Sequence, residues 1–185
     1  NGQWPRGDDG RILERIIQTR DIRAQEARAG DLLKIGSGLW MEVLHPGQEY
    51  RTMNDNDMSL VLRITHQGHG LALIPGDLEQ EGISTLLDTG LDMRADVLVV
   101  PHHGSRGSLS PELYEVVDPR LAVVSCGFLN IFRFPHPQVL EALNQAKVPE
   151  YCTSRSGEIH ITWDINNMRI TSVRTRLRHK DQDMA

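Results

Sequence analysis

Apolar and polar positions change period several times along this chain, and each change predicts an element. Ile12, Leu13, Ile16 and Ile17 fall at helical spacing behind the turn-forming Gly7-Asp8-Asp9-Gly10, which predicts a short amphipathic helix over residues 10–19. Two extended stretches follow, residues 39–44 ending at His45-Pro46-Gly47, and residues 59–65 alternating behind the polar Asn54-Asp55-Asn56-Asp57. Gln67-Gly68-His69-Gly70 turns the chain into residues 71–75, a hairpin whose second strand stops at Gly76-Asp77. Beyond it helix and strand periods alternate: a helix over 79–87, strands over 96–100 and 121–125, and a helix running from His136-Pro137 to residue 146. Ser110-Pro111-Glu112 adds an N-cap with proline in the first helical turn. Residues 151–153, 158–163 and 168–173 read as strands closing in a meander. Hairpins followed by strand-helix alternation imply a layered α/β architecture with a mixed sheet.

Composition agrees with a folded domain. At 185 residues, with 39% hydrophobic and 24% charged side chains, the chain suits one core rather than two. Residues 1–185 are therefore read as one unit, with 174–185 as a frayed tail. The longest apolar runs, residues 97–100 and 121–124, fall far short of the ~20 residues a bilayer-spanning helix needs. The first residues, Asn1-Gly2-Gln3-Trp4-Pro5-Arg6, carry neither a starting Met nor the apolar core of a signal peptide, which reads as a fragment or a missing start. A net charge of −5 supplies no global attraction for polyanions, so nucleic-acid contact has to come from local patches. Arg11, Arg15, Arg20, Arg23 and Arg28 form one such cluster, and Arg169, Arg174, Arg176, Arg178 and Lys180 form another. Taken alone, each reads as a solvated face. Cys126 and Cys152 are too few for a disulfide framework and read as packed thiols.

Three loops at strand ends hold the candidate chemistry. In Pro75-Gly76-Asp77-Leu78-Glu79 a carboxylate follows an apolar strand, a position that in isolation reads as a helix cap. In Val99-Val100-Pro101-His102-His103-Gly104-Ser105 two imidazoles end a buried strand, and strand alternation would send one inward and the other outward. Gly104 and Ser105 add a flexible turn and a hydroxyl suited to holding an anion. In residues 130–137, Phe132, Phe134, His136 and two prolines make a rigid loop leading into a helix that His136 itself can cap. Carboxylate oxygen and imidazole nitrogen at neighbouring strand ends are ligands of the kind a Zn²⁺ or Mn²⁺ hydrolytic centre uses. With Asp77 bridging two ions, such a centre would perform phosphodiester hydrolysis. The remaining histidines, His45, His66, His69, His160 and His179, are scattered, so the chain alone does not close a two-metal site.

The ordered set Asn56-x-x-Ser59-Leu60-Val61-Leu62, Pro75-Gly76-Asp77-Leu78-Glu79, Asp96-Val97-Leu98-x-x-Pro101-His102-His103-Gly104-Ser105, Ser125-x-Gly127-x-x-Asn130 and His136-Pro137 resembles the C-terminal metallo-β-lactamase-like domain of the ComEC/Rec2 competence proteins, from about residue 30 to 163. The resemblance implies part of an αββα sandwich, carried by a DNA-uptake channel of the inner or cell membrane. It implies a metal-dependent nuclease that degrades the strand of DNA not imported, with Zn or Mn as cofactor, two ions in the complete domain. Single-stranded DNA and the channel part of the same parent protein would be its partners. Residue by residue, Asp77 takes the bridging-carboxylate position, and either His102 or His103 the late metal-ligand position. His136 and Asn130 fall at the cleft edge, where they would touch a phosphate or assist proton transfer. Asn56 and Ser59 fall where substrate is positioned. The family's His-x-Asp-x-Asp-His motif, expected before the first helix, is absent from this sequence, so the resemblance implies a partial domain. A non-catalytic DNA-guiding module of the channel, and a hydrolase of another phosphodiester or a small ester, are the alternative readings.

Overall fold

A computed structural model describes residues 8–47, 54–164 and 167–173. After helix α1 (Asp8–Thr19), four strands follow, β1 (Leu32–Gly36), β2 (Leu39–His45), β3 (Val61–His66) and β4 (His69–Ile74), each antiparallel to the one before. Three longer excursions then carry helices α2 (Gln80–Asp88), α3 (Pro111–Val117) and α4 (Pro137–Gln145), and return as β5 (Val97–Val99), β6 (Leu121–Val124) and β7 (Glu150–Cys152). These three strands continue the sheet parallel to β4, giving a seven-stranded mixed sheet in sequence order. Tight turns permit only antiparallel return, whereas a helical crossover brings the chain back in the same direction.

Each parallel step advances toward the same edge, so crossovers of one hand put α2, α3 and α4 on one face. Their apolar sides meet there. Ile83 and Leu86, Leu113, Tyr114 and Val117, and Val139 and Leu143 join Leu73, Leu98, Ala122 and Val124 in a single buried cluster. Ser110 caps α3 by accepting the Leu113 amide at 3.2 Å, with Pro111 in the first turn, as its sequence predicts. Burial pushes the Tyr114 hydroxyl up to about 12.

The mixed α/β expectation holds, and three details differ. β1 was not expected from the sequence, because four of its five residues are exposed and no buried face marks its period. The expected closing meander does not form. β7 joins the main sheet beside β6, while β8 (Ile159–Asp164) and β9 (Asn167–Ser172) make a separate hairpin, with the short helix α5 (Thr153–Ser156) between β7 and β8. The Trp163 indole ties that hairpin to the start of β5 by donating to Asp96 Oδ2 at 3.0 Å. Helix α1 forms, but Ile12, Leu13 and Ile16 on its apolar side remain exposed. Among the described residues no helix is long and apolar enough to cross a membrane. The basic residues 174–180 and the expected tail lie outside the described residues.

Core and surface are separable by experiment. Leu98→Ala removes a fully buried side chain from the sheet centre and should cost about 2–5 kcal/mol in urea unfolding. Leu32→Ala, on the exposed edge strand, should stay within roughly 0.5 kcal/mol of the parent.

Candidate functional site

Parallel pairing of β4, β5 and β6 places their carboxyl ends side by side, and the three singled-out loops leave from those ends. Backbone bonds knit the loops together. The His102 amide donates to the Gly76 carbonyl at 3.0 Å, joining the second loop to the first, and the His136 amide donates to the Gly104 carbonyl at 2.8 Å, joining the third to the second. Gly104 has φ +77°, and a Cβ there would sit 2.8 Å from Pro135 Cβ, so the close approach requires glycine.

His102 and His103 do not alternate as a strand would. Both adopt left-handed backbone, with φ of 47° and 57°, and both rings therefore turn toward the acidic loop. His103 Nε2 stands 3.8 Å from Asp77 Oδ1, and His102 Nδ1 stands 3.1 Å from Glu79 Oε1 without hydrogen-bond alignment. The other nitrogen of His103 is committed: Nδ1 lies 2.7 Å from the Ser125 carbonyl and must donate to it. In neutral His103 the lone pair is then on Nε2, facing a carboxylate. Two acceptors confront one another, an arrangement that a proton or a cation between them relieves.

Beneath this pair the loops are fixed by groups of which the sequence singled out only Ser59, and that one as a substrate-positioning residue. Asp57 is buried, and its Oδ1 accepts the amides of Glu79 and Gly82, each at 2.9 Å, while Oδ2 accepts the Asn54 amide group at 2.6 Å. Ser59 Oγ accepts the Asp77 amide at 3.0 Å. His45, also buried, donates from Nδ1 to the Ser59 carbonyl at 3.0 Å. Burial holds its pKa below the ordinary 6.5, against the opposing influence of the Ser59 carbonyl and the Asp57 charge. Before the structure, His45 read as one of the scattered histidines. The signals were local, a polar Asn54–Asp57 turn and a histidine ending a strand, and neither has a spacing that marks it as support for a site.

The remaining singled-out residues are placed as follows. Asn56 donates to Glu79 Oε1 at 3.2 Å, so its amide orients the glutamate that faces His102. Ser105 is buried, and its hydroxyl has no partner among the described residues. Asn130 spends its amide within its own loop, accepting the Phe134 amide at 2.8 Å and donating to the Gly127 and Phe134 carbonyls at 3.0 and 2.9 Å. His136 caps α4, its Nδ1 accepting the Gln138 amide at 3.3 Å. His102, His103, Ser125, Cys126, Gly127, Asn130, Phe132 and Phe134 line a cleft of about 640 Å³, of which His136 is not a wall. At its wall Cys126 Sγ lies 3.2 Å from Cys152 Sγ, and both are free thiols. Burial raises Cys126, whereas hydrogen bonding from Ser154 and Cys126 outweighs burial at Cys152 and draws it down.

The donors suit a divalent ion in kind but not in number. Asp77 and His103 offer oxygen and nitrogen on facing sides, yet among the described residues no three His, Cys, Asp or Glu converge to hold a metal.

Two outcomes test this support. Asp57→Ala should cost about 3 kcal/mol in urea unfolding, because two backbone amides lose a buried charged acceptor. His45, depressed in the folded state, binds fewer protons folded than unfolded just below pH 6.5, so stability should fall as pH drops through that value and continue falling toward the folded pKa. Urea midpoints across that range should show the slope, and His45→Gln should flatten it.

No protein-family model matches the chain. Among curated proteins it is similar to ComE operon protein 3 of Bacillus subtilis, 32% identical over 149 residues, which is 79% of this chain and 19% of that protein. Recombination protein 2 of Haemophilus influenzae is 33% identical over 140 residues, 75% of this chain and 17% of that protein. Competence protein ComA of Neisseria gonorrhoeae is 33% identical over 123 residues, 66% of this chain and 18% of that protein. The matched region thus spans less than a fifth of each relative.

Proposed function

The chain contains a domain of the ComEC/Rec2 competence family, and from that premise we propose that it is the hydrolase domain of a DNA-uptake protein, cleaving phosphodiester bonds of single-stranded DNA with a divalent metal. The observation that carries the reading is the confrontation of Asp77 Oδ1 with the lone-pair nitrogen of His103 at 3.8 Å. A proton or a cation between the two would relieve that confrontation. Asp77 and His103 would hold one side of a Zn²⁺ or Mn²⁺ ion, with its other positions filled from outside the described residues. When bound, such an ion supplies Lewis acidity toward a phosphoryl oxygen.

The chain's own residues do the positioning. Ser59 holds the Asp77 backbone, the Ser125 carbonyl fixes the His103 tautomer, and Asn56 keeps Glu79 turned toward His102. Glu79 beside His102 forms a second acid-base pair, able to hold or release a proton at His102 Nδ1. As parts of a competence protein, these loops would meet DNA that a membrane channel of the same parent delivers.

A second reading is a DNA-guiding module without catalysis, in which the arginine clusters and the Gly104-Ser105 turn would hold phosphates. Cleavage of a labelled single strand by the parent protein separates the two. In the hydrolase reading, a chelator abolishes cleavage, Mn²⁺ restores it, and Asp77→Asn or His103→Ala lowers the rate by at least about a hundredfold. Cleavage indifferent to both substitutions would sink the assignment of this pair. Salt-sensitive DNA binding without any cleavage, unchanged in Asp77→Ala, would establish the guiding module instead.

A further inference from the structure

The loop between β6 and α4 exposes its largest apolar side chains. Phe128 is 70% exposed, Leu129 85%, Ile131 86% and Phe132 69%, all within five residues. Such a patch on one rigid loop is the kind of surface that carries binding. The loop is held by the three Asn130 hydrogen bonds and by the Arg133 amide, which donates to the Asn130 carbonyl at 3.1 Å. Its backbone is therefore set in place before any partner arrives.

Their arrangement is specific. Phe132 stacks on Phe134 with centroids 5.4 Å apart and planes 17° from parallel, and Phe134 stacks on His103 at 6.4 Å and 25°. The series runs from solvent to the nitrogen that faces Asp77. Phe132, its outermost member, remains largely open to water, so another flat ring can extend the stack. Arg133, between the two phenylalanines, is exposed and makes no ion pair with a described residue. An alternation of aromatic face and free cation is the pattern by which proteins hold single-stranded nucleic acid. The adjoining cleft of about 640 Å³ has room for a nucleotide.

We propose that Phe132 and Phe134 form a stacking platform for a base of single-stranded nucleic acid, with Arg133 on its backbone, so that the adjoining phosphodiester lies at the Asp77–His103 pair. This deepens the reading of the site as a phosphodiester hydrolase and rests on it for the last clause. A lipid bilayer is the competing occupant of so apolar a loop. Against it, the ring series leads inward to a polar pair, His103 and Asp77, that hydrocarbon would leave without polar partners.

The test measures binding and not cleavage, so its failure and that of the hydrolase reading are distinguishable. Fluorescence anisotropy is recorded with labelled oligo-dT and with an abasic strand of equal length, in an Asp77→Asn background where cleavage does not interfere. Phe132→Ala should weaken oligo-dT binding by roughly tenfold and leave the abasic strand unaffected. Leu129→Ser should change neither. Phe132 and Leu129 are both exposed, and matching urea midpoints confirm that the variants fold. Equal affinity for the two strands, or equal loss from Phe132→Ala and Leu129→Ser, overturns the platform. So does sedimentation with phosphatidylglycerol vesicles that Leu129→Ser abolishes while oligo-dT binding is unmoved by Phe132→Ala, which identifies the loop as a membrane contact.

Discussion

One buried carboxylate organises the candidate site. Asp57 makes no contact with the cleft, yet it receives the amides that open α2 and the side chain of Asn54. A buried ionised oxygen is tolerable only where several donors surround it, and donors held by it lose their freedom in return. The start of α2 is thereby pinned to the loop before β3. Glu79 lies within that pinned segment and Asp77 just ahead of it, so the two acids that face His103 and His102 take their positions from a residue neither of them touches through its side chain.

The histidines are positioned by backbone instead. Consecutive residues with side chains in the left-handed region cost of order 1–3 kcal/mol each, and such geometry persists only when its surroundings fix it. Here the His102 amide bonded to Gly76, the Ser105 amide bonded to His102 at 2.9 Å, and the Ser108 hydroxyl bonded to Pro101 at 2.8 Å provide that constraint. The turn is therefore tied on both sides. Asp57 secures one loop and this corner secures the next, and the parallel register of β4 with β5 sets the gap between them.

These causes explain what could be read beforehand. Strands and helices with a buried face announce themselves through period, which is why β2 to β6, α2 and α4 were legible to within a few residues, whereas α3 was legible only at its N-cap. Asp77 and the two histidines stood out because polar groups at the ends of apolar strands need an explanation beyond packing. Exposed β1 gave no such period, and the meander failed because short strands carry no mark of which neighbour they join. The alternation argument for His102 and His103 assumed extended backbone, and their positive φ removes that assumption. Asp57 and His45 were missed for a different reason: support from beneath a site depends on contacts across 22 and 14 residues, to which local pattern is blind.

The opposite end of the sheet shows what a carboxylate does there when its partners are all donors. Asp96, at the start of β5, is buried and receives the Trp163 indole at 3.0 Å, with His69 Nε2 at 3.0 Å on the same oxygen and Arg120 at 3.7 Å from the other. Every neighbour is a donor or can become one, so Asp96 is satisfied internally and serves to tie the β8–β9 hairpin to the sheet. Asp77 differs on each count. It is half exposed, its backbone amide is held by a serine, and the nitrogen turned toward its oxygen is the one that, in neutral His103, hydrogen bonding to Ser125 leaves without a proton. The same residue type, at opposite ends of one sheet, is complete in one place and incomplete in the other. Incompleteness on a rigid frame favours whatever positive species supplies the missing charge, because the Ser125 carbonyl holds the His103 ring and the Ser59 hydroxyl holds the Asp77 backbone, so the two groups start close together.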